Sequence, residues 1–143
     1  MVIVVGLLLL VATTVLHYEV LRLLSFSIAR LAIQPRAKLL VVVFGTFVSH
    51  ALHVVLYALG YALLADVVGL GTLAGGSDTF IDYVYFSAET YTSLGFGDLM
   101  PIGPLRLIAG IETLNGLLLI GWSASFIYIS MERFWTAESP DRR

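Results

Sequence analysis

The sequence predicts an all-α membrane protein with three long helices, one short helix and a glycine-rich loop. The chain of 143 residues is 59% hydrophobic and only 13% charged. A soluble domain is closer to half apolar and a quarter charged, so this composition excludes a soluble fold. The apolar residues gather in three segments, each near the roughly 20 residues that cross a bilayer. We expect membrane lipid, and no nucleic acid, among the partners.

The three segments divide the chain into regions. They run from Val2 to about Leu16, from about Leu39 to Leu64, and from about Leu105 to Ile129. We expect the first to continue as a helix and to end at Pro35, because a proline disfavours helix for the residue before it. We therefore predict an N-terminal transmembrane or interfacial helix over residues 1–35, a main domain over 36–135 and a short tail over 136–143.

A short helix lies between the second and third segments. It is predicted over about 79–92, with Ser77 or Asp78 as its cap, after a glycine-rich loop at 67–77. About 14 residues at 1.5 Å each reach near 21 Å, too short to cross the bilayer. Such a helix, followed by glycines between two spans, predicts a re-entrant segment. Protein or water must shield its backbone at membrane depth.

The basic residues predict the orientation. They are Arg22, Arg30, Arg36 and Lys38 between the first two spans, and Arg133, Arg142 and Arg143 after the third. On the re-entrant side the basic residue is Arg106. The positive-inside rule then places the N-terminus outside, the C-terminal tail in the cytoplasm and the re-entrant segment outside. We expect the chain in the cell (plasma or inner) membrane.

The most specific motif is residues 92–98, Thr-Ser-Leu-Gly-Phe-Gly-Asp. Gly95 and Gly97 permit left-handed backbone that residues with a Cβ avoid, so that consecutive carbonyls can point the same way. Rings of such carbonyls can replace the hydration shell of a potassium ion. The motif resembles the selectivity filter of potassium channels, usually Thr-Val-Gly-Tyr-Gly-Asp after a threonine. The resemblance extends from about Asp82 to Tyr128.

The resemblance implies a tetrameric pore. It implies an outer helix at about 39–64, a pore helix at about 79–92, the filter at 92–98 and an inner helix at about 105–130. One loop cannot enclose an ion and the chain has no internal repeat, so we expect a homotetramer. The expected function is a passive potassium channel with K⁺ as permeant ion, no cofactor and no enzymatic activity. We expect neither a voltage sensor, since no span carries basic residues at every third position, nor a ligand-binding domain.

The resemblance also assigns the ion-binding residues. They are Thr92, Ser93, Leu94, Gly95, Phe96 and Gly97, with K⁺ held by the carbonyls of Ser93, Leu94, Gly95 and Phe96. Ser93, Leu94 and Phe96 stand where the family usually has threonine, valine and tyrosine. The first two changes remove β-branching, which stiffens a side chain. We therefore expect looser potassium selectivity and a filter that is a candidate gate. A weakly selective potassium and sodium channel, or a non-conducting accessory subunit, are the alternatives.

Four polar residues are predicted to support the filter. Glu89 and Asp98 match a pair that meets behind the filter in some family members, where one carboxyl would hold a proton. The alternative is that Glu89 bonds nearby backbone amides. Glu112 lies inside the third span but roughly 100° from the predicted pore face, which favours support from behind over gating. Asn115, one turn later, is predicted to bond the pore helix.

The remaining candidates lie on the spans. By the resemblance, the pore-lining residues and candidate gate are Leu117, Ile120, Ala124 and Tyr128, with hinges or tight packing at Gly116 and Gly121. His50 and His53 share a face of the second span, where we predict packing or hydrogen bonding in preference to a pH sensor or metal site. Glu19 and Arg22 are predicted to form an ion pair.

Overall fold

The computed structural model describes residues 1–77 and 79–137, and within them it shows four helices and a small sheet. The elements are α1 (Val2–Arg30), α2 (Pro35–Ala62), β1 (Thr72–Ala74), α3 (Phe80–Tyr91), β2 (Met100–Ile102) and α4 (Leu105–Ala137). Three segments are long and apolar enough to cross a membrane: Val2–Arg30, Pro35–Val67 and Leu105–Phe134. The predicted all-α membrane fold, with three long helices and one short one, is confirmed. Asp78 and residues 138–143 of the predicted tail lie outside the described residues.

The first helix is shorter than predicted. It ends at Arg30, and Leu31 already has extended backbone, with φ −72° and ψ 122°. Pro35 is the first residue of α2. A proline fits there because the N–H that it lacks would have had no partner within the helix. The prediction that helix continues to Pro35 is therefore wrong, since this proline starts the second helix and does not end the first.

A two-stranded sheet, absent from the prediction, closes the end of the bundle beside the filter. After α2 the chain makes a π-helical turn, Leu63–Val67, and then enters β1. The strands are antiparallel and pair Thr72 with Ile102, Leu73 with Pro101 and Ala74 with Met100. Gly71 and Gly75 flank β1 with φ of 110° and 94°. A Cβ on Gly75 would collide with the carbonyl oxygen of Asp98, so this glycine lets the loop lie directly against the filter's last residue.

The short helix α3 is capped by Thr79 rather than by Ser77. Oδ2 of Asp82 accepts hydrogen bonds from the N–H of Thr79 at 3.1 Å, the N–H of Ser77 at 2.8 Å and the Thr79 hydroxyl at 3.0 Å. The bond from Thr79, followed by that from Ser77, lowers the pKa of Asp82, because these donors favour the ionised carboxylate. With 12 residues, α3 does not cross a bilayer core.

The core lies where α3 packs between α2 and α4. It is dominated by buried aromatic and aliphatic side chains, namely Tyr57, Tyr61, Tyr83, Phe86, Tyr91, Leu105 and Ile108. The Tyr61 and Phe86 rings meet edge to face, with centroids 5.1 Å apart. Helix α1 packs on the outside of this unit, against α2 and α4. The aromatic layer thus holds α3 from behind and sets the position of the loop that follows it.

Candidate functional site

The filter loop, residues 92–98, leaves the C-terminal end of α3 and is exposed along its whole length in the single chain. Its φ angle is positive at every second residue, 61° at Ser93, 57° at Gly95 and 80° at Gly97. When left-handed and right-handed residues alternate, successive carbonyls turn to the same side of the chain. The loop therefore has the backbone that a row of carbonyl ligands requires.

Ser93 is the residue of this row that the glycine pattern did not predict. A left-handed conformation costs a residue with a Cβ about 1–2 kcal/mol. Three backbone bonds to the last turn of α3 hold the loop in place. The N–H of Ser93 donates to the Thr90 carbonyl at 3.0 Å, and the N–H groups of Leu94 and Gly95 donate to the Glu89 carbonyl at 2.8 and 3.4 Å. The end of α3 therefore determines how the filter begins.

Thr92 is bound to α3 through its side chain. Its hydroxyl donates to the Ala88 carbonyl at 2.8 Å, and its N–H donates to the same carbonyl at 3.2 Å. Both bonds satisfy a carbonyl that the end of a helix leaves without an intrahelical partner. In the single chain, the Thr92 hydroxyl therefore caps the C-terminal end of α3.

Glu89 and Asp98 lie behind the loop but do not bond each other. Among the described residues, no hydrogen bond joins the two carboxyl groups, and Asp98 accepts one from the Tyr85 hydroxyl at 3.0 Å. Glu89 is 4% exposed, and its Oε2 has no hydrogen-bond partner in the described part of the chain. Burial, and then the nearby Asp98 charge, raise the pKa of Glu89, while a hydrogen bond from the Phe96 N–H acts in the opposite direction.

Glu112 lies at the junction of three helices. It is fully buried and accepts a hydrogen bond from the Tyr61 hydroxyl of α2 at 2.5 Å. Its other oxygen lies 2.5 Å from the Ser87 hydroxyl of α3. Ser87 has one hydrogen and also lies 2.9 Å from the Val54 carbonyl, so it can donate to only one of the two acceptors. These contacts place Glu112 of α4 against both α2 and α3.

Asn115 bonds α1 and α2 instead of the pore helix, so that prediction is wrong. Its Nδ2 donates to the Thr13 hydroxyl at 2.7 Å and to the Tyr57 hydroxyl at 3.1 Å. The Thr13 hydroxyl is free to accept because it donates to the Leu9 carbonyl. Asn115 lies one turn beyond Glu112, where α4 faces α1 as well as α2, and sequence periodicity could not show which neighbour was nearer.

The predicted pore face of α4 is one exposed stripe. Its residues Leu117, Ile120, Ala124 and Tyr128 are all exposed in the single chain. The two glycines differ. Gly116 is buried, and a Cβ there would collide with the carbonyl of Tyr91, the last residue of α3. A Cβ on Gly121 would meet nothing within 4 Å. The geometry therefore favours tight packing at Gly116, which lets α4 approach the start of the filter.

A buried polar stripe on α2 is the main feature that sequence reasoning missed. It consists of Thr46, Ser49, His53, Tyr57 and Tyr61, all of them buried. Spacings of three or four residues place them on one helix face. Polar residues recurring at that spacing inside an apolar span were the available signal. Next to this stripe, the Tyr91 hydroxyl lies 2.8 Å from His50 Nδ1 and 3.0 Å from His53 Nδ1.

Comparisons with known proteins agree with this geometry. A family profile described as "Ion channel" matches residues 37–133, a range that contains α3, the filter loop and most of α2 and α4. The inward rectifier potassium channel Kirbac3.1 of Paramagnetospirillum magnetotacticum is 35% identical over 79 residues. That match covers 54% of this chain and 25% of the relative, so the chain spans about a quarter of the relative's length. No solved structure matches significantly. The chain belongs to the ion channel family and carries a pore module of the potassium-channel type.

Proposed function

We propose that four copies of this chain form a membrane channel that passes K⁺ passively down its gradient. The observation that carries the proposal is the alternation of positive φ at Ser93, Gly95 and Gly97 directly after a short capped helix. The carbonyls of Ser93, Leu94, Gly95 and Phe96 would supply oxygen ligands to the dehydrated ion. The relative whose name describes a potassium channel supports the choice of ion.

A tetramer is proposed because one filter loop cannot surround an ion. In a single chain the loop is exposed over residues 92–98, whereas a dehydrated cation needs oxygen ligands on all sides. Four loops around one axis provide them in a closed cyclic assembly. Each α3 also contributes the negative C-terminal end of its dipole next to the loop, which favours a cation there.

The proposed orientation places the N-terminus and the filter loop outside and the end of α4 in the cytoplasm. Its support is the distribution of basic residues. Arg36 and Lys38 begin α2 and Arg133 lies near the end of α4, at the end of the bundle opposite the filter. Arg106, beside the filter, donates to the Pro101 carbonyl at 3.0 Å. This hydrogen bond gives Arg106 a role within the loop that follows the filter.

A second candidate function is a channel of weaker selectivity that also conducts Na⁺. It is favoured by Ser93, Leu94 and Phe96, which keep the carbonyls but not the β-branched and hydroxylated side chains usual in the family. Reversal potentials in mixed K⁺ and Na⁺ separate the two. A shift toward the K⁺ equilibrium potential supports the selective channel, and a reversal near zero in opposed K⁺ and Na⁺ supports the weaker one.

Flux into liposomes tests conduction itself. Wild-type protein should give K⁺ flux that Ba²⁺ blocks, and Gly97→Ala should abolish it, because alanine at φ 80° is strained. Gly110→Ala is the matched control, since Gly110 is helical and a Cβ there meets nothing within 4 Å. Wild-type flux no greater than that of empty liposomes would favour a non-conducting accessory subunit.

A further inference from the structure

All three histidines of the chain converge on one point inside the helix bundle. The sequence contains three histidines, His17 on α1 and His50 and His53 on α2. Their ring centroids are 5.3, 5.3 and 5.7 Å apart. One nitrogen from each can be chosen so that all three lie within 4.8 Å of one another. We call these residues the histidine cluster.

The cluster has one nitrogen that the protein leaves unused. His53 is fully buried, and its Nε2 has no hydrogen-bond partner among the residues that the structure describes. Its Nδ1 lies 3.0 Å from the Tyr91 hydroxyl, which also lies 2.8 Å from His50 Nδ1. Tyr91 has one hydrogen and can donate to only one of the two rings. When the Tyr91 oxygen instead accepts the Nδ1–H bonds of both rings, His50 and His53 each carry a lone pair on Nε2, and that of His53 has no partner among the described residues.

A buried polar atom without a partner costs free energy, and an imidazole lone pair is a strong ligand for borderline metals. We propose that His17, His50 and His53 bind one divalent transition-metal ion of the zinc class, such as Zn²⁺. The ion would sit within a single subunit, apart from the filter loop, so the proposal does not depend on conduction. The chain has no cysteine, so a thiolate site is excluded and imidazole is its ligand suited to this class of ion.

The three histidine nitrogens must move only slightly closer together to bind one ion. Ligands bound at about 2.0–2.1 Å around a tetrahedral Zn²⁺ lie about 3.3 Å apart, against the 4.8 Å spread of the cluster. Rotation of the imidazole rings can supply the difference. The fourth position can be taken by water or by the hydroxyl of Ser123, which already lies 2.9 Å from His50 Nε2 and 3.3 Å from His17 Nε2.

The surroundings orient the rings as ligands require. A ligating histidine usually donates its second N–H to a fixed acceptor, which sets its tautomer and ring direction. The Ser49 hydroxyl lies 3.3 Å from His17 Nδ1 and can accept its hydrogen. The Tyr91 oxygen can accept the hydrogen of His53 Nδ1 in the same way. The bound charge would be offset in part by the C-terminal end of α3, which Tyr91 occupies.

Such an ion would connect the N-terminal helix to the filter. His17 is the contribution of α1, the helix that lies outside the matched family region, and Tyr91 is the residue immediately before the filter loop. An occupied site would fix α1 on α2 and hold the Tyr91 side chain. We therefore infer that the N-terminal helix carries a metal site that stabilises the bundle behind the filter.

The test is metal binding by the full chain, purified through a tag without histidine. Added Co²⁺ should give the strong visible absorption of a tetrahedral site, and one equivalent of Zn²⁺ per subunit should remove it. The variant with His17→Gln, His50→Gln and His53→Gln should lose the absorption, and each single change should weaken Zn²⁺ binding at least about tenfold. Glu19→Gln is the matched control on α1, since it removes an exposed carboxylate outside the cluster and should leave Co²⁺ absorption unchanged.

Two outcomes would overturn the proposal. Wild-type protein that leaves Co²⁺ pale and octahedral shows that the cluster does not bind, whatever the variants do. Zinc that stays bound after all three histidines are replaced shows that it binds elsewhere. Neither readout uses ion flux, so a failure of this proposal is distinct from a failure of the channel proposal.

Discussion

At the scale of single residues, the two buried carboxyl groups near the filter are satisfied in different ways. Glu112 has a hydrogen-bonding partner at each oxygen, Tyr61 and Ser87. Glu89 has a buried oxygen without a partner in the described residues and a raised pKa caused first by burial. A buried carboxylate with one oxygen that no donor reaches is poorly stabilised, so protonation of Glu89 should affect folding.

The contribution of Glu89 to stability should fall as the pH rises above the ordinary pKa of this group. Below 4.5, its unperturbed value, Glu89 is protonated in both the folded and the unfolded state. As the pH rises through the raised pKa of the folded state, the stabilisation is lost. Thermal midpoints measured from pH 4.5 upward should show the wild type becoming less stable relative to Glu89→Gln as the pH rises, because the variant lacks this titration.

Asp98→Asn is the comparison for that experiment. It removes the nearby charge but leaves the burial of Glu89, which is the larger cause of its raised pKa, so a reduced fall should remain. Asp82, whose pKa is lowered from 3.8, loses its contribution only at lower pH. A profile that Glu89→Gln does not change would contradict the prediction.

Replacement of Glu112 should distinguish its hydrogen bonds from its charge. Glu112→Gln keeps an acceptor for the Tyr61 hydroxyl and can donate to Ser87, which still reaches the Val54 carbonyl, so the thermal midpoint should stay near wild type. Glu112→Leu leaves the buried Tyr61 hydroxyl unpaired, at a cost of about 1–3 kcal/mol. Equal stability of the two variants would show that the hydrogen bonds are not what Glu112 contributes.

At the scale of elements, the position of the filter depends on contacts at both ends of α3. Thr79 and Asp82 define the start of the helix. Its end is held by Gly116 of α4, which admits the Tyr91 backbone at a distance that no Cβ would allow. The filter leaves α3 at the next residue. The packing of α4 against α3 therefore involves Tyr91, the residue directly before Thr92.

Gly116→Ala should destabilise the protein and reduce flux, whereas Gly121→Ala should do neither. Overpacking at a close contact costs about 1–3 kcal/mol, while a helical glycine with free space around it gains about 1 kcal/mol on replacement by alanine. Thermal midpoints and liposome flux measure both effects. A Gly116→Ala protein with unchanged stability but altered opening would instead support a hinge at this position.

At the scale of the whole molecule, the proposed conduction pathway needs more than one chain. The filter loop of a single chain is exposed, with Phe96 at 67% exposure, and α4 has an apolar stripe that the described residues leave exposed. In the proposed tetramer, both surfaces would face the pore or neighbouring subunits. The two-stranded sheet and the core between α2, α3 and α4 lie next to the loop and support it.

The purified protein should therefore be a tetramer. Native mass spectrometry from detergent micelles should give a protein mass about four times the 15.6 kDa of one chain. Crosslinking in membranes before extraction controls for dissociation by detergent. A single-chain mass in both measurements, together with absent flux, would contradict the channel proposal.

The membrane fold, the three spans and the capped short helix were predictable because they depend on composition and local spacing. Apolar segments of bilayer length and the two filter glycines can be interpreted without knowing any distant contact. The helix start at Pro35 and the cap at Thr79 were missed by a few residues, since proline and short polar residues can each begin or end an element.

The sequence alone therefore determined that this protein is a membrane protein with a filter-like loop between two spans. Only the tertiary structure decided which polar residues meet. His17 lies 33 residues before His50, and Asn115 bonds Thr13 across the bundle, because helix packing and not sequence distance sets such neighbours. The same holds for Ser93, whose positive φ is imposed by bonds to the end of α3. A serine side chain would not choose that conformation by itself.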